Sequence, residues 1–444
     1  VYIERKCCFV RTALLSFQWF AFILTSSIAG PIAIGAMFGL SVEEIATFAQ
    51  GTLIVLGIAG LCQLYFGHRL PISESPAGLW WGVFVMYAGM IGVVYQTNYE
   101  SLQALSGGML FSAALFVVIG LTGAYDVIER LFTPSVTFVY LSLISFQLVG
   151  QFLPGMFGIT SDDPRIDGVV LFGSAVVFLF MVYAQASRIP FFQRYNVIVA
   201  LLIGWVLFVV LGKADRPPSA EGTFLLLPSV FPFGRPTLDT GVLVTSFFLT
   251  LLLMANLITS VKVMRNVQRD VFVKEMPKDA RLKQSSYWTG FSHALSGLFN
   301  GVAPVPITGS AGFVASTRNT DRLPFVLGNI GVLLVSFIPA FILSVASIPI
   351  AVFYTVTLVI FMKVSQMSFY GLAREPDHGK KQAAVGFGIL IGVGAMSIPG
   401  EAFSELPPSA MAFLGNGLII GTVVAMVAEQ LYAWRKRGKK EDRS

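Results

Sequence analysis

The residue types in this chain that could do chemistry are prolines, glycines, hydroxyl residues and one carboxylate, gathered in two short strings. Residues 71–78 read Pro-Ile-Ser-Glu-Ser-Pro-Ala-Gly, and residues 306–312 read Pro-Ile-Thr-Gly-Ser-Ala-Gly. Because proline interrupts a helix, each string predicts an extended stretch that leads into a half-helix. The free N–H groups at the start of a half-helix could bind carbonyl oxygens or anions. The alternative is a pair of kinked helices that pack through small residues.

The elements that must position these strings are predicted to be membrane-spanning helices. Hydrophobic residues make up 55% of the 444 residues and charged residues only 12%, and the mean hydropathy is +0.75. This composition excludes an ordinary soluble domain. About fourteen apolar stretches approach the length that crosses a bilayer. We therefore predict an all-α polytopic membrane protein, whose first apolar run, residues 12–29, is a span and not a cleaved signal peptide.

The basic residues predict the orientation of these spans. If the N-terminus is cytoplasmic, 26 of the 30 Lys and Arg residues fall in predicted cytoplasmic segments, and Arg165, Lys213, Arg216 and Arg235 fall on the other side. Such an asymmetry is typical of correctly placed spans. The sequence thus predicts a multi-pass plasma-membrane protein with both termini in the cytoplasm. The excess of basic residues reflects this orientation, and we expect no nucleic-acid partner.

A proline-rich linker, residues 216–236, is predicted to divide the chain into two halves, residues 1–215 and 237–444. Each half would hold seven spans. An odd number of spans per half means that related halves are inverted with respect to the membrane. Each string falls in the third span of its half, so the second string lies in the tenth span of the whole chain. Such corresponding positions are expected for a binding site at a repeat interface.

Several segments resemble the nucleobase/ascorbate transporter family. Residues 16–31 are similar to its first span, where Gln18 and Pro31 match and Trp19 stands where the family usually has His. Residues 70–78 are similar to the third span. Pro134 and Phe-Gln-Leu at residues 146–148 are similar to the fifth span, and residues 301–317, with Gly312 and Thr317, resemble the tenth.

The resemblance implies a core domain of spans 1 to 4 and 8 to 11, a gate domain of spans 5 to 7 and 12 to 14, and short β-strands in spans 3 and 10. Family members move uracil, xanthine or uric acid, usually with H⁺ or Na⁺, and often form a homodimer through the gate domain. It thus implies a secondary active nucleobase permease that works by alternating access around a midplane site between spans 3, 8 and 10. The predicted site residues are Gln18, Glu74, Ser75, Gly78, Gln147, Asn256, Thr259, Thr308, Gly309 and Ser310.

The chain departs from the family at two acidic positions. The glutamate of the eighth span falls at Asn256, and the glutamate and asparagine of the tenth fall at Gly309 and Ser310. The Asn256 amide can still donate to a carbonyl and accept from a ring N–H. Since neither Asn nor Gly titrates, proton coupling through these positions is not expected.

An ionisable residue within a membrane usually marks a substrate or ion path, so we predict that Glu74 takes over as acceptor or proton-coupling group. The alternative for Glu74 is an ion pair with Arg69 or His68 near the cytoplasmic end.

Other functions stay open at this point. A small-anion carrier of the sulfate-transporter type shares the architecture and suits a site that has lost negative charge. A sensor that binds without transport is a third candidate. An intramembrane enzyme is disfavoured, because the three histidines form no H-E-x-x-H motif, and the spacing of the three cysteines suits no metal site. We therefore expect no cofactor and no metal, and we interpret His293 as a packing residue and Lys262 as a residue whose charge reaches the membrane surface.

Overall fold

The computed structural model describes residues 2–159, 163–214, 225–272, 281–373, 378–403, 406, 410 and 413–441. Residues 215–224, which hold Arg216 and the first part of the predicted linker, lie outside this range. The remaining part of the linker crosses the ends of several helices. There the Gln103 side-chain amide donates to the Phe233 carbonyl over 2.8 Å, and Leu226 N–H donates to the Phe337 carbonyl over 2.9 Å.

The first half of the chain is helical apart from one short strand. Its elements are α1 (Tyr2–Ser27), α2 (Ala29–Met37), α3 (Val42–Tyr65), β1 (Glu74–Pro76), α4 (Gly78–Ala88), α5 (Asn98–Thr122), α6 (Tyr125–Leu131), α7 (Pro134–Met156), α8 (Gly168–Ala186) and α9 (Pro190–Val210).

The second half repeats this pattern around another short strand. Its elements are α10 (Thr240–Phe272), α11 (Leu282–Phe299), β2 (Pro304–Pro306), α12 (Gly309–Thr317), α13 (Arg322–Ser336), α14 (Pro339–Ala346), α15 (Ile350–Ala373), α16 (His378–Met396), a 3₁₀ turn (Gly400–Phe403) and α17 (Gly417–Glu441).

Local sequence explains where several helices begin. Ser41 precedes α3 and forms a capping box, in which its hydroxyl accepts from Glu44 N–H and the Glu44 carboxylate accepts from Ser41 N–H. Thr133 caps α7 by accepting from Val136 N–H over 3.3 Å. Pro134 follows at the first helical position, where its missing N–H removes no hydrogen bond.

The fold class predicted from the sequence is confirmed. Within the described residues, six helices are long and apolar enough to cross a bilayer alone, and the pair α13 and α14, bent by 81°, makes a seventh. Five other predicted spans correspond to shorter apolar helices, including α4, which follows the first of the two short strands. The ninth and tenth predicted spans correspond to α11 and to β2 with the short helix α12. The expected interruption of the third and tenth spans is therefore present.

The helices pack in two groups. One group holds α1 to α5 and α10 to α14, where α5 lies against α11, α1 against α13, and α3 against both α11 and α13. The other group holds α7 to α9 and α15 to α17, where α7 lies against all three of the later helices. The groups meet where α4 lies against α7 and α2 against α15. The division into a core and a gate domain stays a prediction. That the two groups move against each other stays a prediction.

Candidate functional site

The two proline-rich strings form a two-stranded antiparallel sheet inside the first group of helices. Strand β1 pairs with β2 so that Ser75 lies opposite Val305. Flanking backbone groups extend the pairing, since Ala77 N–H donates to the Ala303 carbonyl over 2.9 Å and Ile307 N–H donates to the Ser73 carbonyl over 3.1 Å. Each strand runs directly into a half-helix. The first turns of α4 and α12 therefore begin beside the same small sheet. In α12, the N–H groups of Ser310 and Ala311 already donate to the Ile307 and Thr308 carbonyls, so the N–H groups nearest the start of each half-helix are the ones that a solute could use.

Polar side chains from neighbouring helices hold this sheet in place. The Pro306 carbonyl accepts from the Asn256 side-chain amide over 3.2 Å and from the Ser260 hydroxyl over 2.7 Å. On the other strand, the Ser75 hydroxyl donates to the Ser26 carbonyl over 2.7 Å. That carbonyl lies where α1 ends and α2 begins. In a continuous helix it would accept from a backbone N–H of the next turn, so the break in the first span makes it available to Ser75.

A cavity of about 1500 Å³ lies beside the sheet, between the two groups of helices. Among the described residues that line it, only Glu129 and Lys262 are charged, and they form an ion pair with each other. The wall around the strands is therefore polar but uncharged. Seven of the predicted site residues line the cavity: Gln18, Ser75, Gly78, Asn256, Thr259, Thr308 and Gly309.

Each half-helix begins with a glycine that lines this cavity, and the space beside the glycine is larger at α12 than at α4. A methyl group added at Gly309 would have the Phe22 Cζ atom, 3.9 Å away, as its nearest neighbour. One turn later, a methyl group added at Gly312 would meet no atom within 4 Å. A methyl group added at Gly78 would lie 3.3 Å from the Phe361 Cζ atom. The cavity can thus bring a solute close to both helix N-termini.

Three predicted site residues, Glu74, Ser310 and Gln147, do not line this cavity. Side chains alternate along a strand, so the outward turn of Ser75 toward the cavity directs Glu74 to the opposite face, where it is 2% exposed. The Ser310 hydroxyl instead accepts from Ser73 N–H over 2.9 Å. Gln147 on α7 donates from its side-chain amide to the Gly82 carbonyl of α4 over 2.9 Å.

Glu74 has an unusual surrounding for a carboxylate. Its Oε1 atom is buried and has no hydrogen-bond partner in the described part of the chain. Among the described residues, Glu74 forms no ion pair with Arg69 or His68: Arg69 Nε donates to the Tyr65 carbonyl, and the His68 ring accepts from Leu70 N–H at Nδ1 and has no partner at Nε2. A buried acceptor without a donor is costly unless it has a role or holds a proton.

Aromatic side chains form a second part of the cavity wall, and none of them is among the predicted site residues. Phe22 and Phe313 line the cavity with their ring centroids 4.8 Å apart. Trp81 and Phe361 line it elsewhere, with centroids 5.5 Å apart. The chain contains 39 phenylalanines, so residue type alone could not single out these. Flat apolar rings suit a planar solute.

His293 lies away from the cavity, buried between helices. Its Nε2 atom accepts from Trp80 Nε1 over 3.2 Å, and its Nδ1 atom lies 2.9 Å from the Thr289 carbonyl. Since both ring nitrogens have partners, the interpretation of His293 as a packing residue agrees with its contacts.

Among the described residues, no group of three or more His, Cys, Asp or Glu side chains is arranged to hold a metal ion.

Residues 10–401 match the model of the Permease family (Xan_ur_permease). YwdJ of Bacillus subtilis (strain 168), provisionally described as a purine permease, is 39% identical over 431 residues, which are 96% of this chain and 97% of YwdJ. The uric acid permease PucK of the same organism is 22% identical, over 95% of this chain and 96% of PucK.

Solved structures of anion transporters share the fold. The transmembrane domain of the cyanobacterial bicarbonate transporter BicA has a TM-score of 0.63 at 15% identity, covering 94% of this chain and 97% of that domain. The murine anion transporter Slc26a9 has a TM-score of 0.64 at 11% identity, covering 95% of this chain and 68% of its own. These likenesses establish the architecture of the helices and leave the transported solute open.

Proposed function

This chain belongs to the Permease family, and from that premise we propose that it carries purine or pyrimidine bases across the membrane by alternating access. The observation that carries the proposal is the uncharged, partly aromatic wall where the two half-helices begin. A base has carbonyl oxygens and ring N–H groups in one plane. The N–H groups of the half-helices can donate to those oxygens, while aromatic rings cover the flat faces.

We propose that the Asn256 side chain recognises the base. It lines the cavity and already donates to the Pro306 carbonyl. That bond fixes the direction of the amide, so its oxygen remains available to accept from a ring N–H of the solute. A neutral amide matched to a polar base discriminates strongly, because an apolar competitor would leave the amide oxygen without a donor.

Uptake of radiolabelled xanthine, hypoxanthine, uric acid and uracil, in cells that lack their own base permeases, tests the proposal. We expect uptake of at least one base, and we expect Asn256→Ala to raise KM about tenfold, from the loss of one or two hydrogen bonds. Asn98→Ala is the matched control, because Asn98 also donates to a backbone carbonyl, that of Phe38, but away from the cavity. Equal KM values for the two variants would count against this site.

An anion carrier is the second candidate, and the absence of an unpaired carboxylate from the described cavity wall favours it. Two helix N-termini beside one cavity suit a small anion as well as a carbonyl oxygen. Competition separates the two candidates. Excess unlabelled sulfate or bicarbonate should leave base uptake unchanged, whereas uptake of labelled sulfate or bicarbonate without uptake of any base would identify an anion carrier.

A further inference from the structure

Two cavities lie on either side of the contact between α4 and α7. The large cavity is lined by Gly78 and Trp81 of α4 and by Ile144 of α7. A smaller cavity of about 200 Å³ is lined by residues one turn further along both helices, including Met86 of α4 and Gln147 of α7. The path from one membrane face to the other is therefore interrupted between these two sets of residues.

Gly82 of α4 lies at this interruption. A methyl group added there would be 3.1 Å from the Ile144 Cγ1 atom and 3.5 Å from the Gln147 Oε1 atom. The absence of a side chain thus allows α7 to approach the α4 backbone closely. Gln147 completes the contact by donating to the Gly82 carbonyl over 2.9 Å. We call Gly82, Ile144 and Gln147 the partition.

We propose that the partition is the barrier that closes the site from one membrane face, and that Gln147 is the positioning residue that holds it shut. The proposal rests on the proposed transport function, since a carrier must open such a barrier once in each cycle. It assigns Gln147 a role other than the contact with substrate that the sequence predicted. The Ile144 side chain fills the space between α4 and α7, and the Gln147 hydrogen bond determines how often the two helices separate there.

The chemistry of this contact suits a bond that breaks and forms repeatedly. A helical carbonyl normally accepts from the N–H group four residues later, so the Gly82 carbonyl keeps a partner when the Gln147 bond breaks. The freed amide remains beside the smaller cavity, which is also lined by the side chain of Asn416. Opening therefore need not leave a buried polar group unpaired.

Labelling of a cysteine reporter from each membrane face tests the proposal. The reporter is Leu79→Cys, on the wall of the large cavity, in a protein whose Cys7, Cys8 and Cys62 are replaced by serine. A membrane-impermeant maleimide is added from one face at a time. Residues Glu129 and Lys262 mark the face reached by the large cavity, and Met90 and Val94 mark the face reached by the smaller one.

In Gln147→Leu, we expect the rate of labelling from the Met90 face to rise about three- to tenfold, as the loss of one hydrogen bond predicts. Labelling from the Glu129 face should not rise. A protein that is merely destabilised would label faster from both faces. Gln103→Leu is the matched control, because Gln103 also donates to a backbone carbonyl, that of Phe233 in the linker, and this bond does not join α4 to α7. Its labelling should equal that of the parent.

Gly82→Ala provides a second and independent variant. Its methyl group would press on Ile144, so we expect the same one-sided increase even if Gln147→Leu does not fold. Unchanged labelling from the Met90 face in folded Gly82→Ala or in folded Gln147→Leu would overturn the proposal. Because labelling requires no solute, this outcome is distinguishable from a failure to transport bases.

Discussion

Glu74 shows how neighbouring residues of one strand acquire different roles. Ser75 lines the cavity and bonds to the break in the first span, whereas Glu74 lies on the reverse face with an unpartnered carboxylate oxygen. A proton bound at Glu74 would therefore act on the solute through the position of the strand, which carries both residues, and not through direct contact. The assignment of Glu74 as the proton-coupling group stays a prediction.

Glu74→Gln tests this assignment, because an amide of nearly the same shape cannot bind and release a proton. We expect the variant to lose the pH dependence of uptake while it remains folded, since a neutral side chain is easier to bury than a charged one. Uptake is measured between pH 5 and pH 8, a window of about the physiological range, in parallel with Glu43→Gln, which changes an exposed carboxylate. The assignment is wrong if both variants retain the parent's pH profile.

At the scale of elements, close approach of backbones decides which helices pair. A methyl group added at Gly51 of α3 would lie 2.6 Å from the Phe299 carbonyl oxygen at the end of α11. One added at Gly301 would lie 2.7 Å from Thr52 N. The two helices thus touch through their backbones, as small residues permit in membrane proteins. This contact positions β2, which follows α11 after a short turn.

Gly51→Ala should lower stability by about 1–3 kcal/mol, because a backbone oxygen cannot rotate away as a side chain can. Gly150→Ala in α7 is the matched control, since no atom lies within 4 Å of the added methyl group. Alanine also favours a helix over glycine by up to about 1 kcal/mol, so this control should melt at or above the temperature of the parent. Melting temperatures in detergent give the comparison, and equal values for both variants would contradict the packing argument.

At the scale of the whole molecule, the site belongs to neither group of helices alone. The sheet and the two half-helices lie in the first group, whereas Tyr140, Ile144 and Phe361 contribute the facing wall from α7 and α15. A solute bound in the cavity would contact both groups at once. The homodimer implied by the family resemblance, the coupling ion and the orientation of the termini stay predictions.

Ligand binding across the two groups should stabilise the folded protein. At a concentration of 100 Kd, a bound base adds about 2.7 kcal/mol, which a thermal-shift screen of purines, pyrimidines and small anions in detergent can detect. Asn98→Ala should show the same shift as the parent, and Asn256→Ala should need about tenfold more base for an equal shift. Stabilisation by sulfate or bicarbonate alone would favour the anion carrier, and stabilisation by a base without uptake would identify a sensor.

Hydropathy and the positions of the prolines predict the spans, their interruptions and their correspondence between the halves. Hydrophobic length selects segments that cross a bilayer, and prolines such as Pro76 and Pro304 break a helix wherever they stand. These properties depend on a few consecutive residues. The likeness to a known family at Gln18 and residues 70–78 depends on local strings in the same way, and the match of residues 10–401 to the Permease family confirms it.

Which side chains share the cavity depends on how the helices and strands pack. Seven predicted residues line it, but Glu74 faces away from it and Gln147 belongs to the partition, beside the smaller cavity. The register of β1 against β2 and the rotation of α7 about its axis set these directions. Both result from packing between residues far apart in the chain, such as Gly82 against Ile144. These contacts cannot be predicted from a short stretch of sequence. A shift of one residue in strand register, or a rotation of a helix by a fraction of a turn, would turn the same side chain to the opposite face.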